Sequence, residues 1–295
     1  MRAVLDIGGT KTAIGIYHGE LELLKVIPTP KDPKDLISVL IKELKKMNAN
    51  EISIATMGPL KISEGMIVNN PHLNEKNFEL ARPLMMELGV PVYMVNDCVA
   101  GAWAEAKARK SENLVYIGFG TGIGIGAVVD GVLLMGKEGN AHEFGHVTLS
   151  WNMEIPCGCG GGGHVESFLG GSNLPKFAKA LGYEVSSAKE FFELMKKEKA
   201  LRDAFERALL SFISSVSNAY DPEVIALSGG VYYKNKELFD EILEKLPEWK
   251  GLVVEAPRVE EAKYNDLAPL YGAAFLAEDK PPNWFRKLKY LVDWK

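Results

Sequence analysis

Glycine recurs at every second position within residues 114–131, which read LVYIGFGTGIGIGAVVDG. Alternate residues of a strand share one face, so a strand here would carry almost no side chains on that face. Glycine inside a strand weakens it and usually marks a place where a ligand or another backbone comes close. The pattern therefore predicts two apolar strands joined by a tight turn at Gly120-Thr121-Gly122.

This turn has two interpretations. Consecutive backbone N–H groups in a glycine turn form a concavity that binds anions such as phosphate, but an ordinary glycine-rich hairpin fits this stretch equally well. Residues 3–19 repeat the order of strand, glycine turn and strand, with Gly9-Thr10 in the place of Gly120-Thr121. A repeat of this length indicates two related halves. We therefore expect a nucleotide site in a cleft between two domains.

Two better-known nucleotide motifs are excluded by their context. Gly122 to Ala127 matches the letters of the dinucleotide fingerprint G-x-G-x-x-A, which requires a helix after the glycines. Residues 8–12 lack the Gly-Lys-Ser/Thr order of a P-loop. A strand pattern follows the glycines in both places, so neither motif applies.

Length and charge limit the function classes. A chain of 295 residues favours two domains. The formal net charge of −5 argues against a nucleic-acid binder that relies on phosphate contacts. The start of the chain has no signal-peptide pattern, and glycines break its longest apolar run, so we expect no membrane partner. The three cysteines fit a reduced, cytoplasmic compartment.

Two acidic positions are candidates for chemistry. Asp6 ends the first predicted strand, where it could hold Mg²⁺, usually through water, or cap a turn. Asn96-Asp97 follows a short buried strand over 90–95, and ligand groups sit at such carboxyl ends in open α/β sheets. For the isolated pair, Asp97 as a cap on the following helix is the favoured alternative.

Cysteine and histidine concentrate in one glycine-rich stretch. His146, Cys157, Cys159 and His164 lie within nineteen positions, a donor set that suits tetrahedral Zn²⁺. The alternative is two free thiols and two scattered histidines. Since residues 142–164 hold three of the five histidines and two of the three cysteines, zinc is favoured.

Two later stretches complete the pattern. Residues 223–231 read as a buried strand that ends in a glycine turn at Gly229-Gly230, which suits the close approach of a nucleotide. Residues 280–295 form a tail that contains Pro281-Pro282, and we expect it to be a docked surface segment without a function.

Taken in order, these motifs resemble the ROK family, which groups sugar kinases with related transcriptional repressors. The resemblance runs from residue 3 to about residue 277. The motifs are Asp6-Ile-Gly-Gly-Thr10-Lys11, Asn96-Asp97, Gly120-Thr121-Gly122, Glu143-x-Gly-His146, Cys157-x-Cys159-Gly-x-x-Gly-x-x-Glu166 and Ser228-Gly229-Gly230.

The resemblance implies an α/β protein with the actin-like (ribonuclease H-like) ATPase fold. Its two related domains, with a ligand cleft between them, would be a smaller one over 1–110 and a larger one over 111–295 that carries the zinc-bearing loop. It also implies an ATP-dependent hexose kinase that assembles as a homodimer or homotetramer. Glucose phosphorylated at O6 is the default reaction, and an N-acetylhexosamine (GlcNAc or ManNAc) is the alternative. A sugar-responsive regulator is disfavoured, because only five residues precede Asp6 and a DNA-binding helix-turn-helix needs several dozen.

The family's residue roles carry over by position. Asp97 would be the general base, and Asp6 would lie near Mg²⁺. The zinc ligands, one His and three Cys in the family, correspond to His146, Cys157, Cys159 and position 164. Sugar binding would involve Asn96, Asp97, Glu143, His146, Glu166 and Gly58. ATP binding would involve Gly8, Gly9, Thr10, Lys11, Gly120, Thr121, Gly122, Gly229 and Gly230.

The sequence departs from the family pattern at three histidines. His164 stands where the third zinc-binding Cys is expected. His142 replaces a glycine before Glu143, and His72 stands where Pro-Asn-Leu is expected. The last two flank the predicted sugar pocket, so they leave the identity of the sugar open.

Overall fold

The computed structural model describes residues 1–70 and 73–292, so His72 lies outside the described residues. The chain divides into two compact units. Unit 1 consists of Met1–Lys110, Val132–His142 and Leu267–Lys295, and unit 2 of Ser111–Gly131 and Glu143–Asp266.

Unit 1 is built on a five-stranded sheet of order β3-β2-β1-β4-β8. The first three strands form an antiparallel meander, and β4 and β8 join it in parallel. The strands of this unit are β1 (Arg2–Ile7), β2 (Lys11–Tyr17), β3 (Leu21–Pro28), β4 (Glu51–Thr56), β5 (Leu60–Lys61), β6 (Met66–Ile67), β7 (Phe78–Glu79), β8 (Val92–Asn96) and β11 (Val132–Leu133). Its helices are α1 (Pro33–Leu44), α2 (Ala81–Leu88), α3 (Asp97–Arg109), α10 (Ala268–Asp279) and α11 (Pro282–Phe285).

Unit 2 repeats this arrangement. Within it the strand order is β10-β9-β12-β13, in which β9 and β10 form an antiparallel hairpin and β12 lies parallel to both β9 and β13. The same hairpin and parallel pair occur in unit 1 as β2-β1-β4-β8, which confirms two related halves. Its strands are β9 (Leu114–Phe119), β10 (Ile123–Val129), β12 (Val224–Ser228) and β13 (Arg258–Glu261), and its helices are α4 (Val165–Leu169), α5 (Leu174–Ala180), α6 (Ala188–Met195), α7 (Lys199–Tyr220), α8 (Gly230–Lys234) and α9 (Lys236–Leu243).

The grouping of residues differs from the predicted division at residue 110. Helix α10, although late in the chain, packs on α3 and β4 in unit 1. A side chain at Gly272 would collide with the Ala100 carbonyl, so glycine there lets the two helices approach closely. The buried Ser53 hydroxyl of β4 also donates to the Ala273 carbonyl at 2.6 Å.

The C-terminal tail is more deeply packed than we expected of a surface segment. Trp284 and Tyr290 are almost completely buried, with 0% and 1% of their surface exposed. No helix in the described part of the chain is both long and apolar enough to cross a membrane.

Candidate functional site

The first glycine turn, residues 8–11, connects β1 to β2 and is held from outside the hairpin. The Thr29 hydroxyl donates to the Gly8 carbonyl at 2.7 Å, and the Thr29 N–H donates to the Thr10 carbonyl at 3.0 Å. The Lys31 ammonium donates to the Gly9 carbonyl at 2.6 Å. Lys31 therefore adds a cation to the turn, and no pattern in the sequence pointed to it.

Asp6 lies in the sheet of unit 1, and Gly58 lies just after strand β4 of the same sheet. Asp6 is in the central strand β1, paired with Ala13 on one side and Ala55 on the other. The Gly58 carbonyl accepts a hydrogen bond of 2.8 Å from the buried Asn70 side chain. Beside them, Thr56 is fully buried, and its hydroxyl has no hydrogen-bond partner within the described ranges.

Asn96 and Asp97 stand where β8 ends and α3 begins. The Asn96 side chain accepts hydrogen bonds from the backbone N–H groups of Cys98 and Val99, at 3.0 and 3.2 Å. Asn96 is thus the N-cap of α3, whereas the alternative from sequence had Asp97 as a cap. Asp97 is the first helical residue and accepts from the Cys98 N–H at 2.8 Å.

The environment of Asp97 disfavours its charged form. The residue as a whole keeps partial exposure, but the protein surrounds its carboxyl group. Burial raises the pKa of Asp97 to about 6, against hydrogen bonds from Cys98 and Asn96 that act to lower it. A carboxyl with a pKa in this range takes up a proton more readily near neutral pH than an ordinary aspartate.

The second glycine turn, between β9 and β10, is held by the segment after α4. The Gly171 N–H donates to the Gly120 carbonyl at 3.0 Å. Ser172 donates twice to the Thr121 carbonyl, from its N–H at 3.0 Å and from its hydroxyl at 2.9 Å. Within the turn, the Gly120 N–H donates to the Gly122 carbonyl at 3.0 Å. The predicted hairpin is therefore present, and Ser172 holds its turn in place, which no sequence pattern indicated.

Glu166 links this turn to the cysteine-rich loop. Its Oε2 accepts a hydrogen bond of 3.1 Å from the Ile123 N–H, and its Oε1 lies 3.4 Å from the Cys157 sulfur. A side chain at Gly122 would collide with the Glu166 carboxylate. Glycine at position 122 therefore leaves room for this carboxylate under the turn.

The four predicted metal ligands converge in unit 2. One ligand atom from each of His146, Cys157, Cys159 and His164 lies within 4.8 Å of the other three. The Cys157 sulfur is 3.5 Å from His146 Nδ1, and the Cys159 sulfur is 3.3 Å from His164 Nδ1. In a tetrahedron with Zn–S near 2.3 Å and Zn–N near 2.05 Å, sulfur and nitrogen are separated by about 3.6 Å. The donor set and its spacing fit Zn²⁺.

The loop that carries these residues depends on its glycines. Backbone bridges pair Thr148 with His164 and Pro156 with Gly162. Gly163 has φ +68, and a side chain there would collide with the Ser150 carbonyl. Glycine at position 163 thus lets the chain bend directly before His164.

The protonation of Cys157 depends on its surroundings. Burial, together with the negative charge of Glu166, raises the pKa of the Cys157 thiol to about 12. A bound cation reverses this balance, because a metal-coordinated thiol loses its proton.

His146 presents its second ring nitrogen to Glu143. Its Nε2 lies 3.8 Å from Glu143 Oε2, while its Nδ1 faces Cys157. Glu143 precedes a short 3₁₀ turn at Phe144–His146 that ends at His146, and Gly145 in this turn packs directly on the Ile123 carbonyl. His146 therefore faces the predicted metal ligands on one side and a polar group on the other.

His142 lies in the interior of unit 1. It is 5% exposed, and its Nε2 donates to the Leu134 carbonyl at 2.6 Å. Burial lowers the pKa of His142, which favours the neutral ring. This departure from the family pattern is accommodated by packing and a backbone hydrogen bond.

Gly229-Gly230 forms the predicted turn after β12. Gly229 has φ +99, and a side chain there would collide with the Phe119 carbonyl. A side chain at Gly230 would meet no atom within 4 Å. The backbone at Gly230 is therefore open to a ligand.

A family model described as the ROK family matches residues 2–280. The chain belongs to the ROK family. This ROK protein is 32% identical to a glucokinase of Pyrobaculum calidifontis, over 97% of this chain and 97% of that protein. It is 31% identical to an N-acetylmannosamine kinase of Salmonella typhimurium, over 93% of this chain and 97% of that protein.

Among solved structures, the ROK chain is similar to a ROK hexokinase from Thermus thermophilus. The TM-score is 0.79 at 29% identity, with 94% of this chain and 99% of that chain covered. The predicted actin-like α/β fold is confirmed by this likeness, together with the mixed parallel and antiparallel sheet of each unit.

Proposed function

We propose that this protein is an ATP-dependent glucose kinase, which transfers the γ-phosphoryl group of ATP to O6 of glucose. The observation that carries the proposal is Asp97, a carboxylate that directly follows β8 as the first residue of α3, with a pKa raised to about 6. Membership of the ROK family and the likeness to a glucokinase support it.

Phosphoryl transfer requires that donor and acceptor are aligned and that charge on the phosphoryl oxygens is neutralised. We assign the ATP phosphates to the glycine turns at 8–11 and 120–122, and the nucleoside to Gly229-Gly230. Mg²⁺, when bound near Asp6, supplies positive charge to the phosphates. The Lys31 ammonium, held against the first turn, adds a second positive charge there.

Asp97 would accept the proton of the attacking sugar hydroxyl, within hydrogen-bond reach. The remaining sugar hydroxyls would bind to Asn96, Gly58, Glu143, His146 and Glu166. The Asn96 side chain would meet the sugar in a fixed orientation, because it already caps α3. Glu166 keeps free lone pairs, since each carboxylate oxygen can accept more than one hydrogen bond.

The pKa of Asp97 predicts how activity depends on pH. Only the ionised carboxylate can act as the base, so kcat/KM for glucose will fall as pH drops through about 6, and not through the ordinary aspartate value of 3.8. The measurement is the pH profile of kcat/KM for glucose at saturating ATP, followed by direct ADP detection. A flat profile between about pH 5 and pH 8 would contradict the assignment of Asp97.

We further propose that His146, Cys157, Cys159 and His164 bind a structural Zn²⁺. Four protein ligands would leave no open position for a substrate, which is typical of structural zinc sites. The ion would fix the loop next to Glu166 and orient His146, whose Nε2 faces Glu143.

An N-acetylhexosamine is the second candidate substrate, favoured by the likeness to an N-acetylmannosamine kinase. A site built on hydrogen bonds rejects sugars that leave its polar groups unpaired, so one substrate will dominate. We expect the highest kcat/KM for glucose in an ADP-release screen of glucose, mannose, fructose, GlcNAc and ManNAc. A clear preference for ManNAc or GlcNAc would replace glucose in the proposal but keep the reaction class.

We also propose a cytoplasmic homodimer or homotetramer that binds neither nucleic acid nor membrane. The assembly rests on the family resemblance, and the compartment fits three free cysteines. Light scattering of the purified protein measures the assembly, and a monomer would contradict it.

A further inference from the structure

The strand that ends at Asn96 lies at the edge of its sheet. In the order β3-β2-β1-β4-β8, only β4 flanks β8. The Ile52 N–H of β4 donates to the Pro91 carbonyl at 2.9 Å. Because successive carbonyls of a strand point in opposite directions, those of Val92 and Met94 point away from β4.

Residues 281–291 of the C-terminal tail, here called the strap, satisfy both outward carbonyls with side chains. The Trp284 indole N–H donates to the Met94 carbonyl at 3.1 Å. The Tyr290 hydroxyl donates to the Val92 carbonyl at 3.0 Å. Both aromatic residues are almost fully buried, so neither bond is exchanged for water.

The strap is anchored to β8 by packing as well. The Trp284 ring lies 6.1 Å from the Tyr93 ring, and the ammonium of Lys280, the residue directly before the strap, lies 5.4 Å from the same ring. Aromatic and cation–π contacts of this kind each stabilise the packing of the tail on the strand.

The other side of the strap is fixed to two further segments of unit 1. The Tyr290 ring packs against Gly65, in the turn between β5 and β6, where a side chain would approach it within 3.2 Å. Asn283 donates to the Leu133 carbonyl, and Lys287 donates to the Lys137 carbonyl at 3.2 Å. The strap therefore ties β8 to segments that are distant in sequence.

These contacts end just before the proposed base. Asp97 follows Met94 by three residues, about 10 Å along the chain. A strand transmits a shift along its length, and a misplacement of 1 Å at a reacting group can cost about 100-fold in rate. The match to the ROK family model ends at residue 280, so the strap lies beyond it.

We propose that Trp284 and Tyr290 are positioning residues, through which the strap holds β8 and thereby Asp97 in place for catalysis. This proposal rests on the proposed function of Asp97. It differs from a purely structural role because it assigns the strap an effect on turnover rather than on stability alone.

The test is the double variant Trp284→Phe/Tyr290→Phe, which keeps an aromatic ring at both positions and removes both donors. We expect kcat to fall about tenfold while KM for glucose and for ATP changes less than about twofold. Hydrogen exchange of a peptide covering residues 92–101 will also quicken relative to other peptides of unit 1.

The matched control is Ser53→Ala, which removes a buried hydrogen bond from the neighbouring strand β4. We expect it to lower Tm without changing kcat. The positioning role is wrong if the double variant, like this control, lowers Tm but leaves kcat and the hydrogen exchange of residues 92–101 unchanged. If the double variant does not fold, Tyr290→Phe alone undergoes the same two measurements.

The exchange measurement needs no substrate. If the wild-type protein turns over no sugar, the proposed function is wrong. Unchanged hydrogen exchange of residues 92–101 in the double variant would then still refute the positioning role of the strap. The two failures are therefore distinguishable.

Discussion

Replacing Asp97 with Asn will lower kcat by about 100-fold or more and leave the affinity for sugar nearly unchanged. The amide keeps the shape of the side chain and can still accept the hydrogen bond from the Cys98 N–H. It cannot take up the proton of the sugar hydroxyl. Steady-state kinetics and calorimetric titration with glucose measure the two effects separately, and near-normal turnover would contradict the role of Asp97.

The same variant provides its own control for folding. The pKa of Asp97 is raised to about 6 in the folded protein, above the ordinary 3.8, so ionisation of this carboxyl destabilises the fold. The stability conferred by the protonated form is fully present below about pH 4 and lost as pH rises through about 6. Asp97→Asn should therefore have a higher Tm than wild type near pH 8, and the difference should shrink towards pH 4. If Asp97→Asn instead has a lower Tm than wild type at pH 8, misfolding explains its lost activity.

Removing the metal site will have the second-largest effect. Cys159→Ser deletes one of four converging ligands, and we expect the protein to lose zinc and its Tm to fall. Because Glu166 and His146 lie against this loop, KM for glucose should rise at least about tenfold, far more than KM for ATP. Elemental analysis of protein purified without chelators measures the zinc content, and kinetics measure both KM values.

The matched control is His164→Cys, which restores the one-His, three-Cys set expected from the family resemblance. This variant should keep one zinc ion per chain and a KM for glucose close to that of wild type, since thiolate and imidazole are both good zinc ligands. Absence of any metal in the wild-type protein would refute the site. Unchanged sugar kinetics in metal-free Cys159→Ser would refute its influence on sugar binding.

Local patterns explain why much of the fold could be predicted from the sequence. The alternating glycines of 114–131 predicted the hairpin of β9 and β10, and their likeness to residues 3–19 predicted the second half. The spacing of cysteine and histidine predicted the convergence of four ligand atoms. Each of these motifs, including each copy of the repeat, is a short stretch of sequence.

The features that the sequence did not reveal depend on contacts between distant segments. Lys31 and Ser172 brace the two glycine turns from outside their hairpins. Gly272 lets α10 approach α3 closely, but nothing near it in the sequence identified α3 as the partner. Likewise, the Trp284 indole donates to a carbonyl of the edge strand β8, which lies much earlier in the chain. The composition of the tail does not reveal this partner.

The most direct test of the central claim is to identify the product formed from glucose and Mg·ATP. We predict one ADP released for each glucose consumed, with the new phosphate on O6 as read by coupling between phosphorus and the C6 protons. The Asp97→Asn protein should form the same product far more slowly. Binding of glucose without nucleotide consumption, or ATP hydrolysis that is independent of any hexose or N-acetylhexosamine, would contradict a sugar kinase.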